Sequence, residues 1–251
     1  MDKRGQVSIF IILGLLLVVI VVLVLLARQI GVGVEPKKFL SSQIEPINKK
    51  VSDCVIKEGL DVLRLLGLQG GDLNPTNYLK YKDYNVAFLC YNQKEDENCI
   101  TRGLTKREME QELELYLDQK LLSCISIKEF GFGYDISTGE LTTDVTIGND
   151  IVFINVLYPI TLRKGDSEIK LDNFPNKIEV PLGKLFSVAQ DILWYEAEKG
   201  LFFVESYELL HQGDFEIRKD QPYPHEIYIS RARTSDYIFQ FAVEGEPYED
   251  I

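Results

Sequence analysis

Histidine is nearly missing from this chain. Two occur in 251 residues, His211 and His225, and they do not share the H-x-x-x-H spacing of a helical zinc pair. No Cys-x-x-Cys occurs, and the closest cysteines, Cys90 and Cys99, are too far apart for a zinc pair. No Gly-x-Ser-x-Gly occurs, so the nucleophile elbow of the α/β-hydrolases has no place here. Positive charge is in deficit: 27 Lys and Arg face 39 Asp and Glu, a net charge of −12. Such a surface repels phosphate backbones, so nucleic acid is not an expected partner. Asn74-Pro75-Thr76 is spoiled as a glycosylation site by its proline. No internal repeat and no low-complexity block stands out.

What is present in abundance is one apolar run. Residues 7–27, VSIFIILGLLLVVIVVLVLLA, contain no charge. At about 1.5 Å per residue such a helix covers roughly 30 Å, the hydrocarbon thickness of a bilayer. Core helices of soluble proteins keep a polar face, and this run has none. The expectation is a transmembrane helix over 7–27, with the lipid bilayer as its partner. Lys3 and Arg4 precede it, and Arg28, Lys37 and Lys38 follow, so flanking charge decides little about orientation. A signal anchor with the bulk of the chain on the far side is the simplest topology.

The four cysteines, Cys54, Cys90, Cys99 and Cys124, all lie after the run. An even number beside an export-type segment favours two disulfides on an oxidising side. Free buried cysteines and a metal site are the weaker alternatives.

The first residues permit a sharper reading. Lys3-Arg4-Gly5-Gln6-Val7-Ser8-Ile9-Phe10 resembles an archaeal class III signal peptide, the start carried by type IV pilins and archaellins. The resemblance implies cleavage between Gly5 and Gln6, with the apolar helix kept on the mature protein. Phe10 stands where many pilins carry Glu, and Gly31, Gly33 and Pro36 interrupt what would be a continuous stalk. The resemblance covers about the first 27 residues. The remainder, through Gly67-Leu68-Gln69-Gly70-Gly71 and Tyr158-Pro159-Ile160-Thr161, resembles a membrane-anchored family of small-genome archaea that implies no function.

Beyond the apolar run the expected order is a juxtamembrane linker over 28–43, an extracytoplasmic α+β domain over 44–243 and an acidic tail over 244–251, after a leader at 1–6. Ile44, Ile47, Val51, Val55, Val62 and Leu66 recur at helical spacing, so 44–66 is expected as an amphipathic helix with Cys54 on or beside its apolar face. Gly67, Gly70 and Gly71 end it; a phosphate loop would follow a strand and finish in Lys-Ser/Thr. A strand is expected at 86–91. Thr105-Lys106-Arg107-Glu108 fits a capping box, and Met109, Leu113, Leu117, Leu121 and Cys124 mark one face of the helix that follows. These two helices are expected to pack and to be joined by Cys54–Cys124, with Cys90–Cys99 closing a polar loop, although four cysteines allow three pairings.

From residue 130 the period falls to two. Leu141, Thr143, Val145 and Ile147 alternate with polar residues, and strands at 151–157, 160–163, 168–171 and 177–180 continue an antiparallel β-meander. Pro159 marks an edge or bulge. A helix at 183–199, a short one at 204–211 and a hairpin from strands at 225–231 and 237–243 complete the chain.

Chemistry is thinly signposted. Glu196 and Glu198 beside Trp194 and Tyr195 could frame a sugar cleft, but a solvated helix end beside a core aromatic explains them more simply. His225 is expected at a solvent-facing strand end. No catalytic residue, cofactor site or metal site is assigned, and no enzyme is expected. The function expected is a single-pass, membrane-anchored cell-surface protein with a structural or interaction role, in its sharper form a pilin-like subunit. Its further partners are copies of itself or other surface proteins. The alternative is a membrane-tethered extracytoplasmic ligand-binding module or enzyme.

Overall fold

The computed structural model describes residues 4–29, 36–92, 99–126, 130–131 and 133–245; in the first of these segments side chains are placed at 12–26. Helix α1 (Arg4–Gln29) carries the apolar run. Its large side chains from Ile12 to Leu26 are 45–64% exposed at consecutive positions, so no face of this stretch is packed away. Among the described residues no helix is long and apolar enough to cross a membrane. This corrects the fold expected from sequence, in which 7–27 was a single N-terminal transmembrane helix.

The rest is mixed helix and sheet. Within 28–43 the chain forms α2 (Pro36–Ser41), whose Leu40 is fully buried. Helix α3 (Ile44–Leu68) follows the expected apolar repeat and buries Ile47, Val51, Cys54, Val55, Val62, Leu63 and Leu66. It ends where Gly70 and Gly71 take φ of +80° and +84°. A side chain at Gly71 would be strained by that φ and would also strike Leu104 and Met109.

Two sheets pack around α3. The first contains β1 (Tyr78–Tyr81), β2 (Tyr84–Tyr91), β10 (Ile238–Val243), β9 (Glu226–Ala232) and β8 (Phe215–Asp220) in that spatial order, with β3 (Ile100–Thr101) also paired to β2. Strands β2 and β10 run parallel; the other pairs are antiparallel. The last strand in sequence is therefore central, with both faces of Phe239–Gln240–Phe241–Ala242 buried. The second sheet is built on β6 (Val152–Lys164), flanked by β4 (Asp135–Thr138) and β5 (Thr142–Ile147) on one side and β7 (Ser167–Ile178) on the other. Strands expected as short pieces at 151–157 and 160–163 form one. Tyr158 and Pro159 together oppose Asp172 alone, a bulge that absorbs the proline without breaking the ladder. The 151–157 stretch, apolar but for Asn155, still has an outer face: Phe153 and Leu157 are 50% and 45% exposed.

Helix α4 (Lys106–Cys124) starts with the Thr105–Glu108 capping box and buries Met109, Leu113, Leu117 and Leu121. Its adjoining face does something the apolar stripe does not reveal. Glu110, Glu114 and Asp118, one turn apart, accept from the outward N–H groups of Ile147 (2.9 Å), Val145 (3.2 Å) and Thr143 (2.7 Å). An exposed strand edge invites pairing with other chains, and this one is closed by carboxylates. Arg107 pairs with Glu114 at 3.2 Å and with Glu110 at 3.6 Å. Helices α5 (Leu182–Lys199), stopped by Gly200 at φ +69°, and α6 (Val204–Leu210) complete the fold.

Asp118 also accepts from the Thr143 hydroxyl at 2.8 Å. Asp118→Ala strands a part-buried N–H and is expected to cost about 1–3 kcal/mol in urea unfolding. Asp118→Asn keeps one acceptor oxygen and is expected to cost clearly less. Equal losses would show that the acceptor is not what matters.

Candidate functional site

The residues singled out by sequence fall in three places. Cys54 of α3 and Cys124 of α4 are bonded, with S–S 2.09 Å and Cα–Cα 5.9 Å. Cys90 of β2 and Cys99 are bonded at S–S 1.98 Å and Cα–Cα 5.3 Å. The polar loop between them, residues 93–98, lies outside the described residues. Gly5 and Gln6 lie in the first turn of α1.

The densest polar constellation lies elsewhere, where the end of α5 meets β8 and β9. Helix α5 buries Leu185, Ala189, Ile192 and Leu193, and Glu196 continues that stripe. It is 4% exposed. The fully buried Tyr228 of β9 donates its hydroxyl to Glu196, and the backbone N–H of Phe202 donates to the same carboxylate. Lys219 of β8 stands 3.8 Å from Glu196 and 2.6 Å from Glu226. Its Nζ lies 5.2 Å from the Tyr228 ring centroid. Gln221 donates to Glu226 at 3.1 Å. Phe202 packs edge-on against Tyr228 and Phe241 stacks on its other side.

Burial raises the proton affinity of Glu196, against the Tyr228 hydrogen bond and the Lys219 charge. The Tyr228 hydroxyl is pushed far above the ordinary tyrosine range, by burial first and then by its bond to Glu196. With Glu196 this deeply enclosed, the group acts as a polar tie between helix and sheet. The expected arrangement is reversed here. Glu196 is buried, whereas Trp194 and Tyr195 are 53% and 41% exposed. The signal was present in the sequence, since Glu196 follows Ile192 by four residues and Leu193 by three.

The histidines are ring partners. His211 stacks on Tyr207 with centroids 4.0 Å apart, and His225 meets Phe88 edge-on at 5.0 Å. The Tyr207 hydroxyl donates to Asp191 at 2.7 Å, and burial followed by that bond raises its pKa. Among the described residues no group of three or more His, Cys, Asp or Glu side chains could hold a metal ion. A cavity of about 530 Å³ has Leu60, Leu68, Val180 and Ile238 in its wall, with Asp61 and Arg64 beside them. Another of about 520 Å³ has Leu122, Tyr134, Ile136 and Tyr158 in its wall. No protein-family model, curated protein or solved structure matches the chain.

The Glu196 cluster fixes the sign of one pH effect. With its folded pKa raised above 4.5, the ordinary value, the folded state holds the proton more tightly. Stability from this group then falls as pH rises from the unfolded to the folded pKa. Glu196→Gln is expected to gain melting temperature over wild type at pH 7, and the gain is expected to shrink at pH 4. A difference that does not change with pH would show that Glu196 is not held against ionisation.

Proposed function

We propose that the protein is a structural or interaction protein of the cell surface, in its sharper form a type IV pilin-like subunit. Helix α1 is the self-association element, and the cystine-braced α+β unit is the head that it displays. The single observation that carries this reading is the surface of α1. Its large side chains from Ile12 to Leu26 are apolar and about half or more exposed around the whole circumference. A helix of that kind needs apolar cover on all sides, and copies of the same helix supply it. With Phe10 at the fifth position after the expected cut, the packing between copies is apolar, without a buried carboxylate.

Two further observations support the placement. Both cysteine pairs are bonded, and disulfides persist on the oxidising side of the cell boundary rather than in the cytosol. The Lys3-Arg4-Gly5-Gln6 start supports processing after Gly5. A capped sheet edge supports a head that is displayed rather than one that assembles by strand addition.

Mass spectrometry of protein recovered from the cell surface is expected to find Gln6 as the first residue. Retention of Met1 to Gly5 would end the pilin-like version. All four native cysteines are bonded and none is free, so Val18→Cys introduces the only free thiol. It is expected to give covalent dimers with a bismaleimide applied to intact surface material. Monomers alone would count against α1 as the assembling element.

A further inference from the structure

A second apolar surface lies on the head. Trp194, Tyr195, Leu201, Phe203, Leu209 and Leu210 are 53%, 41%, 44%, 66%, 82% and 78% exposed, all between the end of α5 and the end of α6. The two aromatics of α5 are tied to a buried ring pair. Trp194 packs on Tyr195 at 4.8 Å, Tyr195 on Phe202 at 5.9 Å, and Phe202 on Tyr207 at 5.3 Å. Phe202 and Tyr207, in the same span of sequence, are buried. Phe202 packs on Tyr228 of β9, which also bonds Glu196 of α5.

We infer that this surface docks on the same surface of a second copy, forming a two-fold head-to-head contact. Three observations select a second copy over other occupants. The first is area: six large apolar side chains, four of them more than half exposed, stand within 17 residues of sequence, and apolar patches of this kind mark interaction sites. The second is charge. The rim has both signs, with Lys199 ending α5 and Glu205 opening α6, and neither makes an ion pair within the described residues. A two-fold contact puts a patch against itself, so Lys199 of each copy can meet Glu205 of the other. A rim of one sign would instead call for an unlike partner. The third is the rim's acidic excess: Glu198 adds a further negative charge beside Lys199, which disfavours an anionic lipid surface. The contact deepens the self-association reading but does not use α1, and the two fail separately.

The test uses the full chain in mild detergent. Leu210→Cys, again the only free thiol, is expected to give bismaleimide-linked dimers. Asp150→Cys, on the exposed turn between β5 and β6, is expected to give at least tenfold fewer. Phe203→Glu and Leu209→Glu, at exposed positions that leave the core intact, are expected to reduce linking through Leu210→Cys at least tenfold with unchanged circular dichroism. Lys199→Glu and Glu205→Lys are each expected to weaken linking, and the double swap to restore it. That rescue cannot arise from nonspecific adhesion.

Linking through Val18→Cys without linking through Leu210→Cys would overturn the head contact and leave the α1 reading standing. The reverse would overturn the α1 reading alone. Loss of dimer in the single charge variants without rescue in the double would overturn the two-fold pairing. Binding of the wild-type chain, but not of Phe203→Glu, to neutral phosphatidylcholine vesicles in place of dimer formation would overturn it in favour of a lipid surface.

Discussion

Helix α3 is the element that joins the two sheets and α4. Ser52 and Gly59 meet β7 of the four-stranded sheet, and Leu63, Gly67 and Leu68 meet the chain at 237–240 on the six-stranded one. The closeness is set by two glycines. A β-carbon at Gly59 would come 2.5 Å from Ile178 of β7, and one at Gly67 would come 2.3 Å from the carbonyl of Ile238 on β10. Tyr237 locks the second contact by donating to the carbonyl of Leu63 at 2.8 Å. Gln240 does the same to Leu68 at 2.6 Å. The Cys54–Cys124 bond, across 70 residues of sequence, then holds α4 to this spine. Closing a loop of that length removes much of the freedom of the unfolded chain, a term of about 4 kcal/mol in the chain-entropy model.

The strong acidity of the chain also has an internal use. Besides the row on α4, Glu208 accepts from the N–H of Ile217 on the edge strand β8 at 2.7 Å. Glu112 accepts from Leu73 at 2.7 Å, and Glu244 from Asn92 at 2.9 Å. Carboxylates here satisfy backbone N–H groups that secondary structure leaves unpaired. On β5 and at Ile217 of β8 the capped N–H groups are therefore closed to strand pairing.

Some of this was legible from residue order and some was not. The apolar repeats of α3 and α4, the Thr105 cap and the alternation from Leu141 to Ile147 are local patterns, and local patterns survive folding. The parallel pairing of β2 with β10 is not local. It joins segments some 150 residues apart, and no spacing within either strand announces it. Strand β8 was hidden because Glu216, Arg218, Lys219 and Asp220 make its stretch look like a solvated loop. Burial of Phe215 and Ile217 beneath it decides otherwise. Glu196 was misplaced because a carboxylate near a helix end is usually solvated, and only its register with Ile192 and Leu193 told against that. The apolar run was read by length and composition alone, which give no view of what lies against it. From Ile12 to Leu26 its large side chains stand exposed, and among the described residues no helix is long and apolar enough to cross a membrane.

Electron microscopy of cell-surface material carrying gold-labelled protein addresses the central claim most directly. Copies assembled through α1 predict label on filaments or other multi-subunit particles, with several grains per object. Label confined to isolated single molecules, evenly spread, would contradict it.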